Sequence, residues 1–136
     1  MPSANLNMKI SANRIREFVS GARKRDEFVI SKVAFIREQD GPSESSFKSS
    51  ILPMLRRHEV GRSYLALTQY DGSSEFHVAL CFSDSKSTEL LVNEVMELFR
   101  TQFNREDHLD ILFLNDLQQK EIERVCAPFY IRELTQ

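Results

Sequence analysis

The chain has 136 residues, of which 41% are hydrophobic and 28% are charged, and its net charge is −2 at neutral pH. This length suffices for one domain with its own hydrophobic core, and the composition is typical of a globular protein. No apolar run approaches the roughly 18 residues that a membrane-spanning helix needs, and residues 1–25 contain no apolar signal segment. We therefore expect a single cytoplasmic domain that does not contact the membrane.

Charge is distributed unevenly along the chain. Residues 1–25 hold six Lys or Arg side chains against one Glu, whereas residues 63–136 hold six basic and thirteen acidic side chains. Such polarity can steer association with a charged partner. If the protein binds another macromolecule, the pattern favours an acidic C-terminal half that faces a basic surface.

The chain is predicted to divide into a short N-terminal arm and one domain. Residues 1–25 are interpreted as a weakly ordered arm with a short helix over 11–22, and residues 26–136 as the domain. Residues 27–36 are rich in β-branched and aromatic side chains, which indicates a strand inside the sheet.

A helix is predicted next, over residues 43–58, because apolar residues recur at helical spacing from Phe47 to Leu55. Pro53 falls inside this pattern and removes one backbone hydrogen bond. Two alternatives follow: the helix is kinked, or one helix ends and a second begins near Pro53.

A β-hairpin follows, with Asp71-Gly72 as a type I′ turn. If only these two residues form the turn, Leu67 pairs with Phe76 and Leu65 with Val78 on an apolar face that would pack against helices. The opposite face is mixed and is predicted to be open to a partner. We take its members as candidate protein-binding residues: Arg62, Tyr64, Ala66, Thr68, Glu75, His77 and Ala79.

The last third of the chain is predicted to form a helix over 86–103 with its cap within 83–85, a buried strand over 109–114, and a final helix to about Val125. Asn115 and Gln118 match a capping box at the start of that helix. The core order β-α-β-β-α-β is that of a split βαβ (ferredoxin-like) α+β fold. We expect a four-stranded, mostly antiparallel sheet with helices on one face, plus short N-terminal and C-terminal helices.

The sequence contains no convincing catalytic pattern. His108 and Asp110 alternate on one strand face without further ligands, so a solvated pair is favoured over a metal site, and no cofactor is expected. Cys81 and Cys126 lack CxxC spacing and are interpreted as reduced, buried thiols. The open face would lack an aromatic platform, which argues against RNA binding.

Two stretches carry a family resemblance: Ala127-Pro128-Phe129-Tyr130 near the C-terminus, and Val60 to Leu67 at the entry to the hairpin. The chain resembles the C-terminal domain of the bacterial enhanced serine sensitivity protein (SseB) family, as a stand-alone copy spanning about residues 26–133. The resemblance implies a bacterial cytosolic protein without a defined catalytic role. The four motif residues are interpreted as structural, because Pro128 would end the last helix and the two rings would close one end of the core.

The leading functional hypothesis is a small non-catalytic protein-binding module, for example an immunity protein that neutralises a toxin. The first alternative is an accessory subunit of a sulfur-transfer or amino-acid metabolic enzyme. Two further alternatives are a thiol-dependent enzyme that uses Cys81 or Cys126 and a homodimer formed through the open sheet face.

Overall fold

A computed structural model describes residues 7–11, 27–30, 32–86, 88–104 and 107–132. The predicted N-terminal helix falls almost wholly outside these residues. The elements, in chain order, are β1 (Asn7–Ser11), β2 (Glu27–Ile30), β3 (Val33–Glu38), α1 (Pro42–Arg57), β4 (Arg62–Tyr70), β5 (His77–Ser83), α2 (Glu89–Gln102), β6 (Asp110–Phe113), α3 (Asp116–Ile122) and β7 (Tyr130–Ile131).

The described strands form one sheet in the order β2-β1-β6-β5-β4-β3, and β7 pairs with the first residues of β4. The β5–β6 pair is parallel and the other pairs are antiparallel. The predicted α+β class with a mostly antiparallel sheet is therefore confirmed.

The strand order differs from the predicted split βαβ arrangement. In that arrangement another strand separates the two strands that flank a helix, whereas here β3 lies directly beside β4 and β5 directly beside β6. The backbone and side chain of Asp71 both bond to the backbone of Lys32, so the start of β3 is fixed to the end of β4. This pairing leaves no gap into which a further strand could insert.

The single strand predicted over residues 27–36 is two strands, β2 and β3, at opposite ends of the strand order. Five strand spacings of about 4.8 Å would separate these ends by roughly 24 Å in a flat sheet. Three peptide steps from Ile30 to Val33 reach about 11 Å at most. The sheet is therefore curled, so that its two ends approach each other.

The hairpin forms the predicted turn but not the predicted register. Asp71 and Gly72 both have positive φ, and the Ser73 N–H donates to the Tyr70 carbonyl at 2.8 Å. However, the residues from Ser73 to Phe76 do not pair, so Leu67 lies opposite Val78 and Leu65 opposite Leu80. Because the shift is two residues, each remaining side chain keeps its face. Phe76 leaves the strand and is exposed, contrary to its predicted place on the apolar face.

α1 and α2 pack on one face of the sheet and form the larger hydrophobic core. α1 contributes Phe47, Ile51 and Leu55 and continues through Pro53, so the alternative of two separate helices is wrong. α2 is capped by the Thr88 side chain, not by a residue within 83–85 as predicted. The sheet residues of this core alternate along the strands: Leu65, Leu80, Phe82 and Ile111.

Candidate functional site

The sheet face that was predicted to be open is covered. Tyr64, Ala66, Thr68 and Ala79 are all fully buried. Tyr64, Ala66 and Ala79 belong to a second hydrophobic cluster that also contains Ile122 of α3 and the nearby Cys126. Of the apolar residues Leu117, Ile122 and Val125 in and just after α3, only Ile122 is buried. Because Ile122 of α3 packs on these sheet residues, the face is covered and cannot serve as the predicted docking surface.

Polar contacts at the rim of this face hold α3 against the sheet. The Tyr64 hydroxyl donates to Glu123 Oε2 at 2.5 Å, and Arg62 Nη1 lies 3.4 Å from the same oxygen. Burial, followed by the hydrogen bond to Glu123, raises the pKa of Tyr64 well above its ordinary value. Arg62 thus contacts α3, although the sequence placed it on the rim of an open surface.

Both cysteines lie in the second cluster as free, buried thiols. Burial raises the pKa of Cys126 from its ordinary value of 9.0 to about 11, and burial also raises the pKa of Cys81. A thiol attacks as its thiolate, so these surroundings disfavour a nucleophilic role. This geometry gives no support to the hypothesis of a thiol-dependent enzyme.

A polar cluster lies at the end of the sheet where β4 ends and β5 begins. Asp110 Oδ2 accepts a hydrogen bond from the Tyr70 hydroxyl at 2.8 Å and lies 3.4 Å from His77 Nδ1. Asp110 is only 3% exposed, so the predicted solvated pair with His108 is wrong for this carboxylate. The signal was present in the sequence, because Asp110 alternates with the buried Leu112 on one face of β6. Burial, followed by the charge of Asp110, raises the pKa of Tyr70 well above its ordinary value.

The opposite end of the sheet carries an open polar depression of about 510 Å³. It lies where the parallel strands β5 and β6 end. Glu59 and Asp84, which line it, both have positive φ although neither is glycine. The residues that line this polar depression are His58, Glu59, Asp84, Ser85, Lys86, Leu114, Asp116 and Arg132.

Three exposed aliphatic side chains are close in sequence to residues that line the polar depression. Leu90 is in the first turn of α2, Leu117 is in the first turn of α3, and Ile131 pairs with the first residue of β4. They are 61%, 56% and 55% exposed, respectively. We call these three residues the apolar rim. No local pattern in the sequence predicts such a set of residues, because the three positions are far apart in the chain.

The Ala127-Pro128-Phe129-Tyr130 motif makes backbone and packing contacts. The Ala127 N–H donates to Glu38 Oε1 and the Phe129 N–H donates to the Ser63 carbonyl. Phe129 and Tyr130 pack against the larger core, and Tyr130 begins β7.

Comparison with known proteins found no matching family model, no matching curated protein and no matching solved structure. Within the residues that the structure describes, no group of three or more His, Cys, Asp or Glu side chains could hold a metal ion. No helix in this part of the chain has both the length and the apolar character needed to cross a membrane.

Proposed function

We propose that the protein is a small non-catalytic protein-binding module that contacts its partner through the polar depression and the apolar rim. The observation that carries this proposal is that two exposed apolar residues, Leu117 and Ile131, directly adjoin Asp116 and Arg132, which line one charged concavity. Exposed apolar groups next to polar ones are a common feature of protein interaction sites. We propose this surface in place of the mixed hairpin face that the sequence suggested, because that face is buried.

The charge of the proposed surface favours a basic partner. Glu59, Asp84 and Asp116 contribute three carboxylates, while Lys86 and Arg132 contribute two cations. One guanidinium nitrogen of Arg132 already donates to the Glu59 carbonyl at 3.1 Å. Together with the acidic composition of residues 63–136, this supports association that weakens as salt is added.

Two physiological roles are compatible with such a module in the cytoplasm. An immunity protein would neutralise a basic toxin, and an accessory subunit would bind a metabolic or sulfur-transfer enzyme. The resemblance to the SseB C-terminal domain motivates the second role and is itself a proposal.

The test compares three single charge insertions at exposed apolar positions. Leu117→Glu and Ile131→Glu alter the apolar rim, whereas Phe76→Glu alters an equally exposed position at the other end of the sheet. Partners captured from the native host by the wild-type protein are identified, and the affinity of each purified partner is then measured. We expect the rim variants to weaken binding at least tenfold and Phe76→Glu to leave it unchanged.

The converse pattern would contradict the proposed surface. If Phe76→Glu abolishes binding while both rim variants bind normally, the partner contacts the opposite end of the molecule. A homodimer would instead appear in sedimentation of the wild-type protein alone. A Tyr64→Glu substitution would not test such a dimer, because Tyr64 is buried and a charge there would disrupt the fold.

A further inference from the structure

His77, the first residue of β5, lies between two carboxylates. Its Nδ1 is 3.4 Å from Asp110 Oδ2, and its Nε2 is 3.6 Å from Glu75 Oε1 in the hairpin loop. Its ring also packs against the Tyr70 ring of β4 in a tilted arrangement, with ring centroids 4.7 Å apart. Glu75, Asp110 and Tyr70 are thus three titratable groups that face the imidazole, from the hairpin loop, β6 and β4. The Thr68 hydroxyl donates to the His77 carbonyl at 3.1 Å, which anchors the backbone at this point.

The chemistry of imidazole makes this arrangement depend on one proton. The imidazolium form has two N–H groups, so it can direct a donor towards each carboxylate at the same time. The neutral ring has only one N–H, and its other nitrogen presents a lone pair. That lone pair repels a carboxylate oxygen, so a neutral His77 can keep only one of its two contacts.

The burial of the two carboxylates determines which contact is kept. Asp110 is 3% exposed, whereas the Glu75 side chain is 80% exposed. Water can solvate Glu75, but little water reaches Asp110, so a lone pair on Nδ1 would repel its carboxylate without compensation, even though the Tyr70 hydroxyl still donates to Oδ2. The remaining proton therefore stays on Nδ1, facing Asp110, and the contact with Glu75 is lost.

We propose that His77 is a proton-dependent clasp, which holds Glu75 and the hairpin loop when it is doubly protonated and releases them when it is neutral. In both states the ring keeps its contact with Asp110 and its place beside Tyr70. Histidine is suited to this role because its protonation changes within the physiological pH range. The loop that would be released carries the exposed Phe76.

The first test is the tautomer of the neutral ring, read from the imidazole nitrogen resonances between pH 5 and pH 8.5. We expect neutral His77 to carry its proton on Nδ1. His58 provides an internal contrast, because its Nε2 lies 3.1 Å from Glu94 Oε1 and should keep the proton there. A neutral His77 with its proton on Nε2 would overturn the proposal.

The second test measures the loop. The Glu75 N–H donates to Ser73 Oγ at 3.1 Å, so its exchange protection reports on local order. After correction for the intrinsic pH dependence of exchange, we expect protection to fall about two- to fivefold from pH 5 to pH 8, as for the loss of one exposed ion pair. Glu75→Gln keeps the side-chain shape and should remove this dependence. A constant wild-type protection, or an equal change in Glu75→Gln, would overturn the proposal.

Discussion

Of the glycines in the described part of the chain, Gly61 leaves the least space for a side chain. It precedes β4, and a Cβ atom added there would lie 2.3 Å from Asp84 Cβ and 3.0 Å from the carbonyl oxygens of Ser83 and Asp84. The Gly61 N–H donates to the Asp84 carbonyl, and the Gly61 carbonyl accepts from Arg132. The backbone therefore cannot shift without breaking contacts to two other segments.

Gly61→Ala is expected to lower the free energy of unfolding by about 1–3 kcal/mol, the usual cost of overpacking. The measurement is the denaturant midpoint. Asp84→Gly removes the nearest atom and also suits the positive φ at that position, so the double variant should regain part of the loss. Additive effects of the two substitutions would contradict this account. Gly72→Ala is the spatial control, since no atom lies within 4 Å of its added Cβ and only its positive φ opposes the change.

The buried thiols predict how stability depends on alkaline pH. The pKa of Cys126 is raised to about 11 in the folded protein, and burial also raises the pKa of Cys81. Above about pH 9 the unfolded chain loses thiol protons that the folded chain keeps, so the unfolded state binds fewer protons. This contribution to stability is complete below pH 9 and is lost as the pH rises towards 11.

Denaturant midpoints measured from pH 7 to pH 11 test this dependence. The double variant Cys81→Ala, Cys126→Ala should delay the fall until the tyrosines of the unfolded chain ionise near pH 10. Tyr64 and Tyr70, both with raised pKa, then lower the stability in the same direction. An unchanged onset in the double variant would show that the thiols do not cause the early fall.

At the scale of elements, the stability of α3 depends on the cap at its N-terminus and on its packing against the sheet. A helix of seven residues is too short to be stable alone, so its cap and its buried side chains hold it in place. The Asn115 side chain accepts from the Gln118 N–H at 2.8 Å, and the Gln118 side chain accepts from the Asn115 N–H at 3.0 Å.

Asn115→Ala is expected to destabilise the protein by about 1 kcal/mol, whereas Asn115→Ser, which can still cap the helix, should cost only a few tenths of this amount. Thermal unfolding of both variants provides the comparison. Equal losses would indicate that Asn115 acts through contacts other than the cap.

Local signals predicted most of the elements from Pro42 onwards. The 3.6-residue apolar spacing identified α1 and α2, and the spacing of Asn115 and Gln118 identified the capping box. The turn at Asp71-Gly72 was also correct, but the hairpin register was not, because nothing in the turn sequence shows that Ser73 to Phe76 remain unpaired. Rules based on the turn sequence alone do not predict such an unpaired loop.

At the scale of the whole molecule, the sequence could not predict the strand order or the covered face. β1 pairs with β6 through Ile10 opposite Ile111, a contact between residues far apart in the chain. The position of α3 depends on the same kind of long-range packing, since Ile122 and Cys126 meet Tyr64 and Cys81 in one cluster. The candidate binding surface was therefore placed on a face that the C-terminal helix occupies.

The position of β1 predicts the result of cutting the chain at the expected domain boundary. A protein that starts at residue 26 lacks β1, which pairs with both β2 and β6. The exposed edge of β6 should then promote self-association. Sedimentation velocity should show oligomers for residues 26–136 and no change after deletion of residues 1–6, which leaves β1 in place. A stable monomer of residues 26–136 would contradict this role of β1.

The short connection between β2 and β3 has a consequence for how the molecule can be altered. Because only two residues separate Ile30 from Val33, the length of this connection limits how far apart the two ends of the curled sheet can lie. We expect extra residues inserted in this connection to let β2 and β3 move further apart, while both hydrophobic clusters stay packed. Removal of a single residue would instead pull one terminal strand out of its pairing.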